Sequence, residues 1–201
     1  NSTGNLTISN IDLGIPLKLS NNANYNAGFV FKSSDVTSLT SDQAIITVSN
    51  VAGGVLTIPS IENLSIISTN YANSFSLEAD SAKKLTLAGS QPLTFQTVNG
   101  ISETIDAGDL TGALTVTIGN SKATTLTSGR ANDTITISPI NNVIETINTG
   151  AGNDKVTYTE NFSGTDLIDG GTGIDTFSGV ASALTALTNE TTVCLLYTSD
   201  A

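Results

Sequence analysis

Histidine, methionine and tryptophan are absent from the 201 residues, cysteine occurs once (Cys194) and arginine once (Arg130). Without histidine, neither a Ser-His-Asp nor a Cys-His relay can form, and a histidine-ligated zinc site is excluded on the same ground. Only 7 Lys+Arg stand against 18 Asp+Glu, which leaves no clustered basic surface of the kind nucleic acid requires. No run of 18 apolar residues occurs, so no segment reads as a membrane-spanning helix. With Asn1 in place of an initiator methionine and no secretory leader, the sequence is expected to begin inside a longer protein.

The lone cysteine opens the string CLLYTSDA, Cys194–Ala201. That string resembles the conceptual translation of a transposase adapter used in sequencing libraries, and we expect it to be foreign to the protein. What remains is cysteine-free, which suits an exported acidic chain. Parallel β-helix polysaccharide enzymes work with carboxylates and a basic residue, so a β-rich architecture alone does not dismiss catalysis. Here Arg130 is the single arginine and no carboxylate pair stands out on outward strand positions. The chain is read as non-catalytic.

The acid is unevenly placed. Residues 1–100 hold six acids and four bases, whereas residues 101–180 hold ten acids and three bases. A uniformly solubilising surface would not concentrate charge in this way, so a cationic partner is expected in the second half.

A repeat runs through the chain. Leu64, Leu85, Ile105, Leu126, Ile147 and Ile168 fall at intervals of 21, 20, 21, 21 and 21 residues, the last four embedded in ETIDAG, TTLTSG, ETINTG and DLIDGG. Each glycine-containing turn then leads into an alternating segment: Leu114-Thr115-Val116-Thr117-Ile118, Ile135-Thr136-Ile137, Val156-Thr157-Tyr158 and Phe177. Thr, Val and Ile in alternation are a strand signal, not a helical one. The reading is all-β, a parallel β-solenoid of about 21 residues per coil, with Ile and Leu inward and Thr and Ser outward. An antiparallel sandwich shows similar alternation, but its loops usually vary in length.

The expected organisation has four parts. Residues 1–60 form an irregular β segment of weak coils, with strands near Asn5–Ser9 and Ala44–Ser49 and a loop at Asn21–Ala27. Residues 61–180 form the regular solenoid, 181–193 a linker, short helix or start of another coil, and 194–201 the adapter-like tail.

Three turns sit 21 residues apart: SGRAND at 128–133, TGAGND at 149–154 and GGTGID at 170–175. Glycine lets the backbone turn tightly through φ > 0 and aim carbonyls inward. One carboxylate per turn adds charge, and an apolar residue two positions later anchors the strand. These turns resemble the RTX nonapeptide GGxGxDxUx, in which U is a large apolar residue. The resemblance implies calcium between neighbouring turns, because one turn supplies fewer than the six to eight hard oxygen ligands that calcium takes. The better candidate lies between 149–154 and 170–175, with Asp154 and Asp175 and the backbone around Gly150, Gly152, Asn153, Gly171 and Gly173. A second lies between 128–133 and 149–154, with Gly129 and Asp133, degraded by Arg130 and Ala131. The in-register turn at 107–112 has Gly112 where the carboxylate belongs and reads as metal-free, with Asp109 nearby. Asp106, Asn148 and Asp169 form a polar column just before the turns, expected to serve turn hydrogen bonding, with Asp169 also a candidate ligand.

The run TIDAGDLTGALTVTIGN, with LSI, LTL and LTF segments before it, resembles the β-helical body of RTX-type bacterial S-layer and related surface proteins. That resemblance, over residues 60–180, implies type I secretion, folding with calcium outside the cell and calcium-dependent self-association in a surface layer. Cell-surface polysaccharide is a further expected partner. Two other readings share the turns: the stalk of an RTX adhesin, and the calcium and secretion module of a secreted hydrolase whose catalytic domain lies elsewhere.

Overall fold

The structure, a computed structural model, describes residues 5–36, 41–99, 103–119, 124–138, 143–160, 162 and 165–179. The expectations for residues 181–193 and 194–201 lie outside these.

The chain is a parallel β-solenoid of about seven coils, wound as two opposed faces. One face stacks β2 (Leu17–Ala23), the first half of β4 (Gln43–Thr57), β5 (Asn63–Thr69), β7 (Lys84–Gly89), β9 (Thr104–Leu110), β11 (Thr124–Thr127), β13 (Glu145–Asn148) and β15 (Leu167–Asp169). The other stacks β1 (Leu6–Ile11), β3 (Ala27–Phe31), the second half of β4, β6 (Asn73–Glu78), β8 (Leu93–Asn99), β10 (Leu114–Ile118), β12 (Thr134–Ile137), β14 (Lys155–Tyr158) and β16 (Thr176–Gly179). The 15-residue β4 belongs to both faces and joins them into one sheet. The single helical turn α1 (Ser33–Val36) is the exception to an otherwise β architecture among the described residues.

Register follows the repeat. Leu64 pairs with Leu85, Leu85 with Ile105, Ile105 with Leu126, Leu126 with Ile147 and Ile147 with Ile168, all buried. The opposite face supplies a matching ladder, Phe75, Phe95, Val116, Ile135, Val156 and Phe177. Strand alternation puts these on the inner side of the pleat and sends Thr115, Thr125 and their neighbours to solvent. Each fully buried aliphatic side chain contributes about 1.5–3 kcal/mol relative to exposure, and it does so only against the coils above and below.

The first 60 residues join the same stack. Leu6 pairs with Ala27, 21 positions on, but Leu17 pairs with Ile46, 29 positions on, because the intervening coil carries α1 and its flanks. The expected loop at Asn21–Ala27 is partly strand: β2 runs to Ala23 and β3 begins at Ala27. The corners in this half turn on asparagine. Asn21, Asn50 and Asn70 all have positive φ (53°, 58° and 63°), a conformation asparagine tolerates better than most residues. Their side chains tie coil to coil, Asn50 Nδ2 to Asn21 Oδ1 at 2.9 Å and Asn70 Nδ2 to Ser49 Oγ at 2.9 Å. The turn expected at 107–112 is shorter than the sequence suggests, because β9 continues as strand to Leu110.

The inward ladder makes a direct prediction. Ile147→Ala removes a fully buried side chain between two like neighbours and is expected to cost about 2–5 kcal/mol. Thr125→Ala, on the outer side, is expected to stay within about 0.5 kcal/mol. Urea unfolding of the two variants decides it; equal losses would contradict the inward register.

Candidate metal site in the glycine turns

Each coil has two edges. At one, the first face passes into the second through the turns 128–133, 149–154 and 170–175; at the other, a return segment leads back to the first face of the next coil.

The glycine turns stack backbone on backbone. Ala151 and Thr172 form a bridge, with Thr172 N–H donating to Gly150 O at 2.9 Å and Gly152 N–H to Thr172 O at 2.9 Å. Gly171 and Gly173 have φ of 70° and 132°, and a Cβ on them would lie 1.8 Å from Gly150 O and 1.7 Å from Gly152 O. Only glycine allows carbonyls of one turn so close to the chain of the next. A hydroxyl column lies beneath: Ser128 Oγ donates to Thr149 O and Thr149 Oγ1 to Gly170 O, each at 2.8 Å. The sequence reading passed over these two hydroxyls, although Ser-Gly, Thr-Gly and Gly-Gly at one spacing mark their column.

The carboxylates point inward and backward. Asp154 Oδ1 accepts from the Asp133 N–H at 2.7 Å, and Asp175 Oδ1 accepts from the Asp154 N–H at 2.9 Å. Asp133 is tied by both oxygens, to the N–H groups of Leu114 (2.7 Å) and Gly129 (3.1 Å). The column expected to repel itself is therefore partly held by main-chain donors. Asn153 lies in a parallel ladder: its N–H donates to Asn132 Oδ1 and its own Oδ1 accepts from Ile174 N–H. Asp106, Asn148 and Asp169 each accept from the N–H two residues on, at Gly108, Gly150 and Gly171, which is the turn-bonding role expected of them.

One oxygen is left over. Asp154 is buried, and its Oδ2 has no hydrogen-bond partner. Burial raises its pKa to about 6; the Asp133 N–H and the nearby Thr149 hydroxyl lower it, and Asp133 and Asp175 raise it further. The Thr149 hydroxyl gives little relief, since its own short hydrogen bond goes to Gly170 O. A cavity of about 10 Å³ adjoins the orphan, lined by Asp154, Asp175, Thr149 and Gly170 among others.

These residues fit calcium in kind, being oxygen donors only. Among the described residues no three Asp, Glu or Cys side chains gather as a metal group. A shell here would thus draw on one or two carboxylates, with turn carbonyls supplying the rest.

Two outcomes follow from this geometry. Gly171→Ala is expected to cost at least about 1–3 kcal/mol through backbone strain, whereas Gly119→Ala, whose added Cβ would meet nothing nearer than 3.7 Å, should be close to neutral. Thermal melting of both variants reads the difference. Asp154 in turn makes metal-free stability depend on pH. An acid whose folded pKa lies above its unfolded value binds its proton more tightly when folded, so its contribution is lost as pH rises from 3.8 to about 6. In chelator, the wild-type melting temperature should fall across that window, and Asp154→Asn should remove part of the fall.

Comparison of the chain with protein-family models, with curated proteins and with solved structures returns no match, so the reading of these turns rests on their own residues and geometry.

Proposed function

We propose that this chain is a non-catalytic, calcium-binding structural protein of the bacterial cell surface, S-layer-like, which folds and assembles with calcium after secretion. The observation that carries the reading is the orphaned Asp154 Oδ2, enclosed where two glycine turns stack in register. A buried carboxylate oxygen without a partner is costly, and a divalent cation held by two successive turns removes that cost. The same ion would offset the repulsion among Asp133, Asp154 and Asp175.

Magnitudes agree with an extracellular role. Extracellular calcium modules bind with dissociation constants near 0.1–1 mM. At about 1 mM calcium and a constant near 0.1 mM, one site adds about 1.4 kcal/mol. Cytosolic calcium lies far below such constants, so the chain would stay loose before export and stiffen outside. The outward columns Thr94, Thr115, Thr134 and Gln96, Thr117, Thr136 are neutral and hydroxyl-rich, which suits contact with a second copy or with cell-surface polysaccharide. No described helix is long and apolar enough to cross a membrane.

Circular dichroism and thermal melting of the full chain test this reading, in millimolar calcium, in chelator, and with Asp154→Asn plus Asp175→Asn. Asparagine keeps an oxygen for the main-chain hydrogen bonds while removing the charge. Calcium should raise the wild-type melting temperature by about 3–6 °C per site for a chain of this size, and the double variant should not respond. Identical melting in all three conditions would sink the calcium mechanism.

A further inference from the structure

The opposite edge carries its own acidic column. One residue before the paired positions Gln43, Asn63, Lys84, Thr104, Thr125, Thr146 and Leu167 stand Asp42, Glu62, Lys83, Glu103, Thr124, Glu145 and Asp166. Where this column meets the last described coils, Glu145 is fully buried and Asp166 nearly so. The Glu145 N–H donates to Asp166 Oδ1 at 3.0 Å, which fixes the Asp166 carboxylate against the coil that holds Glu145.

Neither carboxylate oxygen of Glu145 has a hydrogen-bond partner, and neither does the hydroxyl of Tyr158, a residue with no exposed surface. The three groups are mutually close enough to interact. Burial and then Asp166 push Glu145 up to about 8, and after burial the charges of Asp166 and Glu145 both raise Tyr158. Asp166 is near enough to act on Glu145 at hydrogen-bond range, yet no bond of acceptable geometry forms at either Glu145 oxygen. The Tyr158 ring is packed edge-on against Phe162 and Phe177, with centroids 4.9 and 5.9 Å away, so the phenol is held in place.

We propose that Glu145, Asp166 and Tyr158 form a second cation site, on the return edge of the solenoid, for a hard divalent ion of the calcium class. A proton-sharing carboxyl pair would close a hydrogen bond between its members, and a tyrosine beside two acceptors would donate to one. Here the oxygens of Glu145 and Tyr158 do neither. Oxygen groups from neighbouring strands brought together without bonding one another suit coordination, with water or main-chain carbonyls completing the six to eight ligands. The column repeats the arrangement once more: Asp42 is buried with both oxygens unpartnered, and its N–H donates to Glu62 Oε2 at 3.1 Å. This site does not depend on the glycine turns binding calcium.

Tyrosine makes the site readable, because the chain has four tyrosines and no tryptophan. Terbium, a luminescent substitute for calcium, emits on tyrosine excitation when it binds beside a tyrosine. The full chain titrated with terbium should show sensitised emission that calcium displaces. Tyr158→Phe keeps the ring and should abolish most of that emission. Glu145→Gln should weaken the apparent affinity at least about tenfold, a loss already reached when only the outer-shell partners of a metal are removed. The Asp154→Asn plus Asp175→Asn variant should leave this emission in place, which separates the site from the turns. Absence of sensitised emission, or emission unchanged in both Tyr158→Phe and Glu145→Gln, overturns the proposal. Should Glu145→Gln fail to fold by circular dichroism, Tyr158→Phe alone decides it.

Discussion

No coil of this protein can satisfy its own main chain. In a parallel solenoid the strand N–H and C=O groups point along the stacking axis, so every coil depends on the one before and the one after for its hydrogen bonds. This single requirement brings like positions of the repeat into contact, about 4.8 Å apart, throughout the described stack. What a column does then depends on what stands in it. Isoleucine, leucine and phenylalanine stack into two inner ladders. Threonine stacks into neutral outer rows.

Charge is where the same stacking becomes difficult. A carboxylate repeated every 21 residues is placed beside its own copy, and inward positions add the cost of losing water. The glycine edge meets this by turning each carboxylate back onto a main-chain N–H of the preceding coil, as Asp154 does with Asp133 and Asp175 with Asp154. The arrangement neutralises one oxygen of each pair and leaves Asp154 Oδ2 behind. The return edge uses the same device with a longer side chain: Asp166 caps the N–H of Glu145, and the Glu145 carboxylate is left over. Both edges thus combine a main-chain donor, a satisfied acid and an orphaned one, and both readings of function start from the orphan.

Glycine and asparagine divide the corners for a physical reason. Asparagine reaches φ near 60° and still has a side chain with which to tie coils together, as Asn50 does with Asn21. The turns at 149–154 and 170–175 bring a carbonyl to within 2 Å of where a Cβ would stand, so no side chain is admissible there. Corners made of asparagine hold coils together through side chains. Corners made of glycine bring carbonyl oxygens close.

The sequence by itself determined the period, the inward ladder from Leu64 to Ile168 and the position of the three glycine turns, because these depend on local alternation and on spacing along the chain. It did not reveal the stacking of residues 1–60. There the corners are asparagines in an asparagine-rich chain, and one coil is lengthened to 29 residues, so the period is interrupted. Nor did it single out Glu145 and Asp166, which begin ETINTG and DLIDGG and read there as ordinary polar residues. Whether a carboxylate at a strand end faces water or the interior depends on the return segment beside it, and whether Tyr158 lies near it depends on how the two faces close. Only the tertiary structure decides those, because burial and the loss of a hydrogen-bond partner are properties of packing between coils and not of residue order.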